Sequence, residues 1–101
     1  MPVPTGRFER RMAKAEVVEL FPLGDPTAKI EAITENVSPR GARVVTNSMC
    51  TPGELVRLNA PGEDLNLPAR VIYCQRLGEN QFAVGLVFYV RVEKWQKPPN
   101  P

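Results

Sequence analysis

Between Ala15 and Phe88 the chain offers five or six short β-prone segments, each cut off by Gly, Pro, Asn or Asp before it can run on. This spacing constrains the fold more than any other feature. Lys29-Ile30-Glu31-Ala32-Ile33-Thr34-Glu35 alternates polar and apolar residues with period two, the pattern of a strand with one wet face. Ala15–Phe21, Ala42–Thr46, Leu55–Leu58, Pro68–Gln75 and Gln81–Phe88 read as further strands. The breaks between them are Pro22 to Pro26, the turn-rich hexapeptide Asn36 to Gly41, Pro52-Gly53, a loop from Ala60 to Asn66, and a hairpin connection over Leu77-Gly78-Glu79-Asn80. Short strands at close spacing with Gly/Pro turns predict a small antiparallel barrel or sandwich.

The flanks read differently. Residues 1–14 form a flexible arm with two early prolines and a basic cluster, and residues 15–97 form the domain. Val90 to Lys97 predicts a short helix, stopped by Pro98, Pro99 and Pro101, with 98–101 a disordered tail. A chain of 101 residues suits one domain, and it can bury roughly two-thirds of its unfolded surface without metal or disulfide staples. The longest apolar stretch, Phe82 to Phe88, is too short to cross a bilayer, and Met1 to Gly6 lacks an apolar signal core. The expectation is a cytoplasmic protein with no direct membrane insertion.

The formal charge of +2 is a poor match to a dedicated DNA binder. Histidine is absent, which removes the commonest general base and the commonest metal ligand. Cys50 and Cys74 stand far apart and form no CxxC pattern, so they read as two free thiols in or near a barrel wall. No cofactor or metal is expected.

Two polar clusters stand out. Arg7 and Arg11 are separated by Phe8-Glu9-Arg10, a spacing that lets two guanidinium forks converge on one compact anion. Arginine suits this because its planar donors pair bidentately with phosphate and its flat face stacks on a purine. The second cluster is Asn36-Val37-Ser38-Pro39-Arg40-Gly41. Asn and Ser either bond their own backbone to shape a turn or present donors and acceptors outward, and Gly41 permits a positive φ or the close approach of a ligand. Taken singly, a terminal basic cluster is usually a solvated tail and such a turn an ordinary Asx-type connection.

Taken together and in this order, the two clusters resemble the signature of the PilZ family, an RxxxR pair in an N-terminal arm followed by a [D/N]xSxxG turn. The resemblance runs on through Gly41-Ala42-Arg43-Val44 and Pro52-Gly53-Glu54-Leu55-Val56-Arg57-Leu58, then Ala69-Arg70-Val71 and Gly85-Leu86-Val87-Phe88. It implies an all-β, six-stranded antiparallel β-barrel with a short C-terminal helix that binds the second messenger cyclic di-GMP. Carried over by position, Arg7 and Arg11 would clasp the phosphates and stack on or hydrogen-bond the guanines. Asn36 and Ser38 would bond guanine edges, and Gly41 would keep the turn open to the ligand. Arg10 and Arg40 stand inside the motifs as candidates for further phosphate contacts. The turn begins with Asn36 where Asp is commoner, so a neutral amide would read the base.

The leading expectation is therefore a bacterial receptor whose arm closes over cyclic di-GMP and alters a surface for a downstream protein partner. A PilZ-like barrel that binds another protein and no nucleotide is the first alternative. A small-barrel nucleic-acid binder ranks lower, because 7% aromatic residues and little excess charge leave no stacking groove. No nucleophile–base pair supports an enzyme.

Overall fold

A computed structural model gives the fold and describes residues 12–25 and 27–92. Seven strands lie among the described residues: β1 (Met12–Ala13), β2 (Val17–Pro22), β3 (Ile30–Ser38), β4 (Gly41–Thr46), β5 (Leu55–Ala60), β6 (Leu65–Gly78) and β7 (Gln81–Phe88). Every pairing is antiparallel. Starting at β3, the ladder passes through β2, β5, β6, β7 and β4, and β4 pairs back onto β3. Six strands thus close into a barrel, which leaves no open edge among them. The two-residue β1 extends the wall along β3, beyond the end of β2.

Period-two alternation fills the interior. Val18 and Leu20 of β2, Val44 of β4, Val56 and Leu58 of β5, Val71 of β6 and Val84 of β7 are all fully buried. Each such Val or Leu contributes about 1.5–3 kcal/mol by leaving water. Pro52-Gly53 turns the chain into β5 as expected, and Gly53 takes φ 91°, a conformation that favours glycine. Its N–H donates to the Val71 carbonyl at 2.7 Å, pinning that turn to β6.

The register shifts at three places, one of them between Arg76 and Gly78 near the β6–β7 turn, and the other two matter for the outer face. In β3 the register shifts between Thr34 and Asn36, and in β6 between Val71 and Tyr73. Each break is a β-bulge, which turns the residues beyond it to the opposite face. Strict alternation from Ala32 and Thr34, both buried, would point Asn36 and Ser38 into the core. Instead Val37 faces inward, fully buried opposite Ala42. Asn36 and Ser38 turn to the outer face, where Asn36 is half-buried and Ser38 is covered, only 7% exposed.

Several boundaries differ from expectation. The hexapeptide turn at Asn36–Gly41 is a two-residue hairpin turn, Pro39-Arg40, because Ser38 already pairs with Gly41. The loop over Ala60 to Asn66 contracts to a 3-10 turn, Pro61–Glu63, followed by Asp64 in the left-handed region, and β6 starts at Leu65. At the other hairpin the turn is Glu79-Asn80, with Gly78 paired to Gln81. The helix expected over 90–97 falls largely outside the described residues, as does the tail 98–101; residues 91 and 92 carry no regular structure.

Candidate functional site

Asn36, Ser38 and Gly41 come together on the outer face of the β3–β4 hairpin. The Ser38 hydroxyl donates to the Gly41 carbonyl and accepts from the Arg40 N–H, both at 3.3 Å. It is thus largely engaged in shaping the turn, with one lone pair unused among the described residues. The turn is anchored from below: Phe88 N–H donates to the Arg40 carbonyl at 2.8 Å and Val92 N–H to the Pro39 carbonyl at 2.7 Å. Arg40 itself is exposed.

Gly41 has a packing reason of its own. Its φ is not positive, and a Cβ there would lie 2.3 Å from the Leu86 carbonyl oxygen of β7. The close approach is that of the neighbouring strand.

Arg7, Arg10 and Arg11 lie outside the described residues. The chain that follows them does not. Met12 pairs with Val37 and Ala13 with Asn36, so the first described residue stands opposite the middle of the Asn36–Ser38 tripeptide. Thr34 fastens the link between β1 and β2: its buried hydroxyl donates to the Lys14 carbonyl and accepts from the Glu16 N–H at 2.9 Å. Lys14 also pairs with Glu63 at 3.0 Å.

Sequence reasoning missed a second polar group on this face. Arg43 sits across from Asn36 in β4, and its Nε donates to Glu35 at 2.6 Å. Its Nη1 donates to the Tyr73 hydroxyl at 3.1 Å and to Gln75 at 3.4 Å, and the guanidinium stands 5.8 Å from the Tyr73 ring centre. The hydrogen bonds donated to Tyr73 first and to Glu35 next raise the Arg43 pKa above its ordinary value. The Tyr73 ring covers Gly85, where a Cβ would fall 2.2 Å from it. The joint signal was a bulge in each of two strands, which no residue type announces.

Away from the hairpin turn, an open groove runs over Val17, Ile33 and Val45, bounded by Glu31, Glu35 and the Gly78–Gln81 hairpin end. Both cysteines are free, as expected. Cys50 N–H donates to the Cys74 sulfur at 3.4 Å, and burial first, then the neighbouring Cys74, pushes the Cys50 thiol up to about 11. Among the described residues no cluster of three or more His, Cys, Asp or Glu could hold a metal, and no helix is long and apolar enough to cross a membrane.

A closed six-stranded antiparallel barrel with a polar motif on one outward hairpin defines the class of protein. The PilZ domain family model matches residues 6–97, and the chain belongs to that family. Among solved structures it resembles the crystal structure of the PilZ domain of CeSA from a cellulose-synthesizing bacterium, at 22% identity and a TM-score of 0.60. That match covers 84% of this chain and 85% of the other, and it carries the fold. No curated protein matches the chain significantly.

Proposed function

We propose that this domain is a receptor for cyclic di-GMP, bound between the arginine pair of the arm and the Asn36–Gly41 hairpin. One observation carries the reading. Met12, the residue that follows Arg11, pairs with Val37, so the arm joins the barrel beside Asn36 and Ser38. The described end of the arm, Met12–Ala13, thus pairs with the Asn36–Val37 segment, which supports a site shared by the two motifs.

The chemistry suits the ligand. Cyclic di-GMP is a compact dianion with two large π faces, which rewards charge-assisted forks and guanidinium–base stacking together. In this reading Arg7 and Arg11 take the phosphates and a guanine face. Asn36 and the remaining Ser38 lone pair take a guanine edge, with Arg10 and Arg40 adding charge. Folding the arm over the nucleotide costs roughly 1–2 kcal/mol per residue ordered, which the ligand contacts must exceed. The closed arm then presents a changed surface to a downstream protein, in the cytoplasm, without catalysis.

Isothermal calorimetry with cyclic di-GMP, against GTP and cyclic GMP, tests this. Selective saturable heat that Arg11→Ala abolishes is expected; equal heat from wild type and Arg11→Ala would overturn the clasp. A barrel that binds a protein and no nucleotide is the second reading, favoured by the outward Val17 and Ile33, 61% and 50% exposed. Absence of heat at high nucleotide concentration would turn the search to that groove.

A further inference from the structure

Away from the hairpin motif, the outer face carries an apolar cross-strand row. Val17 of β2 pairs with Ile33 of β3, Ile33 with Val45 of β4, and Val45 with Ala83 of β7. Val17 and Ile33 are exposed and Val45 is half-buried, and these three line the open groove that ends at the Gly78–Gln81 hairpin. The row crosses four strands, or three strand spacings, about 14 Å. Apolar side chains left in water along one line, rimmed by polar residues, mark an interaction surface.

The rim decides what fits. Glu31, Glu35 and Glu79 line the groove, and none of its lining residues is Lys or Arg. Cations at neighbouring positions are engaged: Lys29 pairs with Glu19, Arg43 with Glu35, and Arg76 donates to the carbonyls of Gly78 and Glu79. Glu31 and Glu79 have no ion pair among the described residues. The groove is thus acidic on a chain whose formal charge is +2. It repels phosphate, which argues against a nucleic acid or an anionic membrane. It also disfavours a second copy, because a two-fold contact would set like charges against each other.

The fold restricts the partner's shape as well. Strands β2, β3, β4 and β7 are each paired on both sides, so no further strand can add to them. What remains is a helix laid across the strands with its apolar stripe on the row. At 1.5 Å per residue, 14 Å is about nine residues, which suits anchors at i, i+3 or i+4, and i+7.

We propose that this groove docks a cationic amphipathic helix of a partner protein. Its apolar anchors lie on Val17, Ile33 and Val45, and its Lys or Arg side chains face Glu31 and Glu79. Such docking deepens the receptor reading, whose downstream protein it describes, and it needs no nucleotide.

The test is a titration of the isotopically labelled protein, without nucleotide, followed by amide chemical shifts. Three synthetic peptides of about 14 residues serve as probes. The first has Leu on one helix face and Lys elsewhere, the second replaces Lys with Glu, and the third scatters the Leu residues at equal composition. Only the first should give saturable shifts, centred on Val17, Ile33 and Val45. Ile33→Ser should weaken it by about tenfold or more with unchanged melting, as loss of a central anchor does. Glu31→Gln combined with Glu79→Gln should weaken it by about 2- to 25-fold, and less at high salt. No saturation, equal affinity for the scattered or Glu peptide, or unchanged affinity in Ile33→Ser overturns the proposal. So does self-association of the protein alone that Ile33→Ser abolishes, which would give the face to a second copy. Failure here leaves the cyclic di-GMP reading standing, because that reading is decided by the nucleotide titration.

Discussion

Met12 stands directly opposite Val37 in the β1–β3 ladder, so the residue after Arg11 faces the middle of the Asn36–Ser38 tripeptide. This pairing depends on Thr34, whose hydroxyl is bonded on both sides, to the Lys14 carbonyl and the Glu16 N–H. Replacing Thr34 with Val keeps the shape and leaves both backbone groups without that partner. The expected cost is about 1–3 kcal/mol of stability. Thermal melts should fall by several degrees, and cyclic di-GMP affinity should fall with them, because the base of the arm loosens. A variant with wild-type melting and affinity would show that the fastening is idle.

Gly41 and Gly85 both lack room for a methyl group, but for different reasons. At Gly41 the obstacle is the Leu86 carbonyl of the adjoining strand, which cannot step aside without breaking the ladder. At Gly85 it is the Tyr73 ring, which can swing away. Gly41→Ala should therefore cost about 1–3 kcal/mol, with Gly85→Ala clearly milder. Calorimetric melting of the two variants decides the order, and a reversed order would contradict the packing described.

Burial raises the Glu16 carboxyl above its ordinary 4.5, Glu63 adds to the effect, and Lys14 opposes it. The folded chain thus binds this proton more tightly than the unfolded chain does. Ionising Glu16 costs stability, and that cost grows as pH rises from the ordinary value through the raised one. Glu16→Gln should melt above wild type at pH 7, and the difference should vanish below about pH 4. A difference independent of pH would assign the effect to packing.

Much of the barrel was legible in the chain because one-sided strands announce themselves. Gln81–Phe88 and Ala42–Thr46 matched the strands found, apart from the addition of Gly41 to the second. The barrel's closure was not legible from alternation; it came with the family resemblance. Asn36 and Ser38 were recognised by type and spacing, yet their outward orientation depends on the bulge after Thr34, which breaks the period that sequence reading relies on. Arg43 and Tyr73 stayed hidden for the same reason. They are 30 residues apart, and only a second bulge, beside Ile72, brings them onto one face. Gly41 was singled out for its freedom of φ or a ligand's approach, whereas the contact found is with a carbonyl of β7, which could not be seen without the barrel.

The most direct test of the central claim is an amide chemical-shift titration of the isotopically labelled protein with cyclic di-GMP. Saturable shifts confined to residues 7–13 and the Asn36–Gly41 hairpin are the predicted result. Shifts centred instead on Val17, Ile33 and Val45, or none at saturating nucleotide, would contradict it.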